Sequence, residues 1–208
     1  MTKFGGWIAL RKKGANGQES RARLLIVAAS EFARSGYHQT KISSIVSRAG
    51  LTQPSFYLYF ESKEAIFKEL VEKFRTNLKT LIEGSRVEGG IDEDDVSSRL
   101  LGVLRELFAF LAKDPDLTQI GFFIGDDSAI VKAEMAAMLE QYLKDEQRAG
   151  LLDRECDMRI VAESLVGVIE RLTAQQLLTE KRTSEDLACH VVNLFMHGIR
   201  MDPVKGFS

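Results

Sequence analysis

The stretch that decides the fold is LTQPSFYLYF, Leu51 to Phe60. It begins with polar residues and a proline, and then places four aromatic residues in five positions. Thr52 can cap a short helix, and Pro54 fits its first turn, where a missing N–H removes no helical hydrogen bond. Because Phe56 and Phe60 are four positions apart, we predict that they anchor this helix on its inner side.

Two amphipathic helices precede this stretch. In residues 20–35 the apolar side chains recur at helical spacing, with Ser20 as a possible N-cap. Thr40 is placed to cap a second helix that runs through Ala49, and a glycine ends it. Two helices joined by a tight turn, the second one short, are typical of a helix-turn-helix. Many other helical hairpins share this spacing, so the residue types must decide between them.

The short helix carries side chains that suit DNA. Gln53 and Ser55 can form hydrogen bonds with base edges in the major groove, where the second helix of such a motif docks. Tyr57 and Tyr59 carry hydroxyls that can reach phosphates. Lys63, at the start of the next helix, can hold a phosphate oxygen. The residue types therefore favour a DNA-binding helix-turn-helix.

Residues from about Arg23 to Phe74 resemble the DNA-binding domain of the tetracycline-repressor (TetR/AcrR) family of bacterial transcription regulators. The matching text is AAxxFAxxGY at Ala28 to Tyr37 and TKISSIVSRAGLTQPSFYLYFESKEAIFKELV from Thr40. Its most specific part is AGLTQPSFYLYFxSKE, which is in register with the family's Y-x-Y/H-F-x-x-K-E at Tyr57, Tyr59, Phe60, Lys63 and Glu64.

The resemblance implies specific DNA contacts. We predict them at Thr40, Ser43, Thr52, Gln53, Pro54, Ser55, Tyr57, Tyr59 and Lys63. Pro54-Ser55 stands where many members have a polar residue and a glycine, so the base preference cannot be copied from them. The resemblance also implies that the remaining helices bind a ligand and form a homodimer.

The rest of the chain is also helical in pattern. We predict a loop at Gly84 to Gly90. The last helix is predicted at about 184–200, and it starts at a capping-box pattern, Thr183 to Asp186.

Only three prolines occur in 208 residues, and no strand pattern is present. We predict an all-α fold of about nine helices, in which a three-helix helix-turn-helix domain precedes a helical bundle. The predicted domains are a flexible basic tail at 1–19, the DNA-binding domain at 20–66 and a ligand-binding and dimerisation domain at 67–208.

Charge is distributed unevenly along the chain. Up to Ala65 there are ten Lys and Arg against four acidic residues, a net charge of +6, whereas the remainder has 18 against 26, a net charge of -8. A basic first third indicates a polyanionic partner. No apolar run approaches the length of about 20 residues that a membrane span needs. We therefore expect a cytoplasmic protein that binds a double-stranded DNA operator and no membrane.

Enzyme and metal chemistry find little support in the sequence. There is no GxSxG, no HExxH and no glycine-rich phosphate loop, so we predict no enzyme and no cofactor. His190 and His197 lie two helical turns apart without an acid or cysteine at ligand spacing, so we predict no metal site.

The C-terminal part offers candidate pocket and interface residues. Apolar residues predicted to line an effector pocket are Phe108, Leu111, Phe122, Phe123, Met135, Met138 and Leu165, although each can equally be core. Residues predicted for the dimer interface are Leu165, Ile169, Leu172, Val191 and Phe195.

The function predicted is that of a repressor that binds a palindromic operator as a dimer and is released by a small apolar or amphipathic effector. A helical protein-interaction adaptor without sequence-specific DNA binding is the alternative. Such an adaptor explains the bundle but not the basic first third.

Overall fold

The computed structural model describes residues 6–88, 96–125 and 127–199, and the side chains of 17–84, 96–125 and 127–199. All the regular secondary structure in these residues is helical, which confirms the predicted all-α class. The helices are α1 (Gly6–Ser35), α2 (Ile42–Arg48), α3 (Gln53–Tyr57), α4 (Lys63–Glu88), α5 (Val96–Lys113), α6 (Pro115–Phe123), α7 (Asp127–Arg148), α8 (Met158–Leu172) and α9 (Ser184–His197). A five-residue π-helical turn, Thr173–Leu177, continues α8. None of the described helices has the length and apolarity needed to cross a membrane.

Several predicted boundaries are wrong by more than a few residues. α1 begins at Gly6 rather than Ser20, so the part of the predicted flexible tail that is described is helical. The helix-forming residues before Ser20, mostly Ala, Leu, Arg, Lys and Gln, let the helix continue through two glycines. α4 likewise continues to Glu88, although a loop was predicted from Gly84. Residues 1–5 of the predicted tail and the end predicted for the last helix, residue 200, lie outside the described residues.

The chain divides into two compact units. The N-terminal unit contains the described residues through Phe74 and those of 116–128, and the C-terminal unit contains the described remainder. The N-terminal unit is therefore larger than the predicted 20–66, because it includes α6 and the first half of α4. Gly121 lets α6 approach α4 closely: a Cβ added to it would lie 2.7 Å from the Phe74 Cβ and nearer still to the ring.

The core of the N-terminal unit is aromatic. Phe32, Phe56 and Phe122 are completely buried, and Phe74 is 1% exposed. Phe32 meets Phe67 edge to face, with ring centroids 5.1 Å apart. Burial of each such ring stabilises the fold by about 1.5–3 kcal/mol. This core holds α2 and α3 in place, although the two helices together contain only twelve residues.

The C-terminal unit is built around α5, which packs along α9. The predicted capping box at α9 is confirmed at Thr183, whose hydroxyl accepts a hydrogen bond from the Asp186 N–H at 3.1 Å. Arg99 and Glu146, both largely buried, join α5 to α7 through an ion pair of 2.5 Å. Tyr142 on α7 is 7% exposed, and its hydroxyl has no hydrogen-bond partner among the described residues.

Candidate DNA-binding surface

The turn between α2 and α3 is a tight glycine turn, as predicted. Gly50 has a φ of +66°, which favours glycine because a Cβ is strained there. The Gly50 N–H donates to the Ser47 carbonyl at 3.2 Å, and the Leu51 N–H donates to the Val46 carbonyl at 2.9 Å. These two bonds form a Schellman motif that ends α2 sharply. The sharp end brings α3 into place as the second helix of a helix-turn-helix.

Two phenylalanines hold α3 against the core, as predicted. Phe56 is completely buried and Phe60 is 4% exposed, with their ring centroids 5.7 Å apart. The Arg21 guanidinium lies over the Phe60 ring at 5.0 Å and pairs with Glu69 at 2.5 Å. Because one side of α3 is fixed in this way, its other side is rigidly presented to solvent.

The exposed side of α2 and α3 forms what we call the recognition surface: Ser43, Thr52, Gln53, Pro54 and Tyr57, all of them exposed. Tyr57 is 52% exposed although it is a large aromatic residue. None of these five residues is a carboxylate that would repel phosphates. Their hydroxyl and amide groups can both donate and accept hydrogen bonds, as base edges require.

Ser55 and Tyr59 border the recognition surface and are half-buried. The Thr52 and Ser55 hydroxyls are hydrogen-bonded to each other at 2.8 Å, and Thr52 makes no capping bond to the backbone, contrary to prediction. The Tyr59 hydroxyl lies 3.7 Å from the position of a Cβ at Gly17, so α1 passes beside it. Leu58, which follows Tyr57 and is 77% exposed, was not predicted to lie beside this surface. Its place could have been inferred from its position two residues from both Phe56 and Phe60, which puts it on the opposite side of the helix from these buried residues.

Thr40 does not lie on this surface, so its predicted DNA contact stays a prediction that this geometry does not favour. Its side chain is 3% exposed, and its hydroxyl donates within the fold to the carbonyls of Glu31 and Gly36 at 3.1 and 2.8 Å. It does not cap α2 either, because the N-cap position is Lys41. Thr40 instead stabilises the turn that follows α1.

The ammonium of Lys63 is engaged within the protein. Its ammonium donates to the carbonyls of Tyr37 at 2.8 Å, Thr40 at 3.0 Å and His38 at 3.4 Å. An ammonium has three donors, so these contacts use all of them inside the protein. The predicted phosphate contact of Lys63 stays a prediction, and this geometry does not favour it.

Glu31 is a structural residue that sequence reasoning missed. Its side chain is only 3% exposed, and its carboxylate pairs with Arg34 at 2.7 Å and also with Arg48. A buried carboxylate needs such partners to offset its desolvation. The pair with Arg48 fixes the end of α2 to α1, and thereby orients the recognition surface.

The residues predicted to line an effector pocket lie mostly in the hydrophobic cores of the two units. Phe108, Leu111, Met135 and Leu165 are completely buried in the C-terminal unit, where Met138 is half-buried. Phe122 and Phe123 belong to the N-terminal unit, one buried and one half-buried. A partly open cleft of about 470 Å³ in the C-terminal unit includes none of the seven; it is lined by Ala112, Pro115, Leu177, Leu178, Glu180, Lys181, Arg182, Thr183, Ser184 and Asp186.

Three of the five predicted interface residues are buried within the subunit. Leu165 and Ile169 are completely buried and Val191 is 1% exposed, because they face the core of their own bundle. Leu172 and Phe195 are half-buried. The exposed apolar residues of α8 and α9 are instead Ile160, 63% exposed, and Leu194, 44% exposed.

A short second helix with an exposed polar side, placed after a tight glycine turn in an N-terminal helical unit, is the arrangement of a helix-turn-helix. The sequence model described as bacterial regulatory proteins, tetR family, matches residues 24–70. The chain is also 48% identical over 185 residues to the uncharacterized HTH-type transcriptional regulator YdgC of Bacillus subtilis, covering 89% of this chain and 95% of that protein. The chain belongs to the tetR family and is a DNA-binding transcriptional regulator.

Solved structures resemble the fold over most of the chain. The fatty acid degradation regulator FadR from Bacillus halodurans has a TM-score of 0.71 and 21% identity, covering 88% of this chain and 97% of that one. The transcriptional regulator FadR from Bacillus subtilis, solved in complex with stearoyl-CoA, has a TM-score of 0.68 and 23% identity, covering 86% of this chain and 99% of that one. These likenesses extend the shared fold from the DNA-binding helices to the C-terminal ones.

Proposed function

We propose that the protein is a repressor that binds a palindromic operator as a homodimer and releases it when a small apolar or amphipathic effector binds. The observation that carries the proposal is the recognition surface: Gln53 and Tyr57 are exposed on a helix that the buried Phe56 holds rigid. In this proposal Ser43, Gln53 and Ser55 contact base edges, and Tyr57 and Tyr59 contact the phosphate backbone. Operator DNA is cytoplasmic in a bacterium, so the protein would act there.

The dimer is proposed to form through α8 and α9. Ile160 and Leu194 are large apolar side chains exposed to solvent, and Leu172 and Phe195 on the same two helices are half-buried. Two such helices from each subunit would make a four-helix bundle across a twofold axis. A dimer of this kind presents two recognition surfaces to half-sites about one helical turn, roughly 34–36 Å, apart on one face of DNA.

An amphipathic effector suits the large apolar side chains inside the C-terminal unit, such as Phe108, Met135 and Leu165. The FadR protein of Bacillus subtilis was solved with stearoyl-CoA, so long-chain acyl thioesters are the first compounds to test. Binding would release DNA only if the effector has a higher affinity for a conformation that does not fit the operator. We propose that the protein binds this compound without converting it.

The proposal is tested by measuring binding to the DNA upstream of the protein's own gene as salt is varied. We expect affinity to fall steeply between about 50 and 200 mM salt, because phosphate contacts release counterions. Addition of an acyl thioester should then lower the affinity at fixed salt. A folded dimer that binds no DNA, or binds it independently of salt, would favour an adaptor, and turnover of the compound would indicate an enzyme.

A further inference from the structure

We propose that Lys63 is a positioning residue: its ammonium clamps the turn between α1 and α2 to the start of α4, and so sets the orientation of the recognition surface. This inference deepens the proposed function, on which it rests for its DNA readout. It differs from the phosphate contact that the family resemblance implies for this lysine, and the test below separates the two roles.

The three carbonyls that Lys63 binds converge on one point. Tyr37, His38 and Thr40 lie in the turn after α1, where backbone carbonyls have no continuing helix to bond with. The Lys63 Nζ is 2.8 Å from the Tyr37 oxygen, 3.0 Å from that of Thr40 and 3.4 Å from that of His38. A compact cation with three donors satisfies this arrangement.

An aromatic ring completes the site. The Lys63 Nζ lies 4.5 Å from the centroid of the Tyr37 ring, which is within the range of a cation–π interaction. That ring itself packs on Phe67 of α4, with centroids 4.7 Å apart, and on Phe32 of α1, with centroids 5.8 Å apart. The ammonium is thus held by both backbone and side chain.

These contacts of Lys63, which we call the clamp, lie directly before α2 and α3 in the chain. Thr40, one of the three acceptors, is two residues before α2 begins at Ile42. A movement of Lys63 with α4 would therefore pull on the residues that place α2 and, through the Gly50 turn, α3. The nearby Lys68 on the same helix has no such role, because it is exposed and pairs with Glu64 at 2.6 Å.

The test compares Lys63→Met, Lys63→Arg and, as the matched control, Lys68→Gln. Arginine binds phosphate at least as well as lysine, but its planar guanidinium cannot aim three donors at three carbonyls on one side. The clamp therefore predicts that Lys63→Arg fails to restore what Lys63→Met loses. A phosphate contact predicts that arginine restores it.

Two measurements decide between these roles in the full-length protein. For DNA, we expect both Lys63 variants to lose about tenfold in affinity at every salt concentration with the salt slope unchanged. For the free protein, we expect amide hydrogen exchange of α2 to become faster in both variants and to stay unchanged in Lys68→Gln.

The clamp is overturned if the slope of log K against log salt falls by about 0.9 per subunit, if arginine restores affinity, or if exchange of α2 is unchanged. The exchange measurement needs no DNA, so it tests the role of Lys63 even if the wild-type protein selects no operator. Failure of the wild-type protein to select an operator would count against the proposed function and not against the role of Lys63.

Discussion

Gln53 is the side chain on which base selection should depend most. It is exposed on α3 and its amide can form paired hydrogen bonds with one base. We expect Gln53→Ala to reduce discrimination at one operator position by about 1–3 kcal/mol, measured as relative affinities for DNA with each base substituted there. Tyr57→Phe is the control, because loss of a phosphate contact weakens binding to all sequences alike. Equal losses on every sequence for Gln53→Ala would contradict its role.

Tyr142 should be a source of instability rather than of stability. Its buried hydroxyl makes no hydrogen bond of ordinary geometry among the described residues, and the Arg99–Glu146 ion pair close to it offsets its desolvation only in part. We expect Tyr142→Phe to leave the free energy of unfolding unchanged or to raise it by about 1 kcal/mol, as measured by chemical denaturation near neutral pH. A loss of more than about 1 kcal/mol would show that the hydroxyl is bonded after all.

Tyr142 should also affect stability at high pH. Burial raises the pKa of Tyr142 to about 12 from its ordinary value of 10.0. The folded protein therefore holds this proton more tightly than the unfolded chain, and the free energy of unfolding should decrease as pH rises from about 10 to about 12. Tyr142→Phe should reduce this decrease, whereas Tyr57→Phe, a change at an exposed tyrosine, should not. Identical pH profiles for the wild type and Tyr142→Phe would contradict the expectation.

At single residues, sequence predicts what depends on local spacing. Phe56 and Phe60 could be assigned to the core because side chains four apart share one side of a helix. The roles of Lys63 and Glu31 could not, because their partners are distant in sequence: the Lys63 acceptors are 23 to 26 positions away and Arg48 is 17 positions from Glu31. A family pattern fixes which residue stands at a position but not which groups it contacts.

Among the elements, the close approach of α6 to α4 should be sensitive to a single methyl group. A Cβ at Gly121 would overlap Phe74, which is 1% exposed and has no room to move without disturbing the core. We expect Gly121→Ala to destabilise the protein by about 1–3 kcal/mol in thermal or chemical unfolding.

The matched control for Gly121 is Gly102→Ala in α5, where a Cβ would meet nothing within 4 Å. Alanine is the better helix former, so this variant should be stabilised by about 0.5–1 kcal/mol. If both variants shift stability in the same direction, the close approach of α6 to α4 is not as described.

The sequence predicts that most of the helices exist, but it does not predict where they begin and end. Apolar periodicity located the helices, but the predicted start at Ser20 relied on a capping residue and the predicted end at Gly84 relied on a glycine. Each glycine costs only about 1 kcal/mol in a helix, which the surrounding helix formers offset. The sequence of α6 shows no clear helical period, because its nine residues begin with a proline and end with four consecutive small or apolar residues.

At the scale of the whole molecule, the proposed dimer predicts the effect of a charge on α9. Leu194 is 44% exposed, so a charged side chain there is tolerated by the isolated subunit but would be buried unpaired in a dimer. We expect Leu194→Glu to give a folded monomer in analytical ultracentrifugation and to lose operator affinity by more than tenfold. Ile130→Glu, at an exposed residue of α7, is the control that should remain a dimer. A dimeric Leu194→Glu protein would exclude this interface.

The central claim is that the recognition surface reads a specific, twofold-symmetric DNA sequence. Selection of bound DNA from a random double-stranded library by the full-length protein tests it most directly. We expect an inverted repeat whose half-site centres are about 10 base pairs apart, or a multiple of that, with one base position relaxed when Gln53→Ala is used. Enrichment of no sequence, or of the same sequence by both proteins without loss at any position, would contradict the claim.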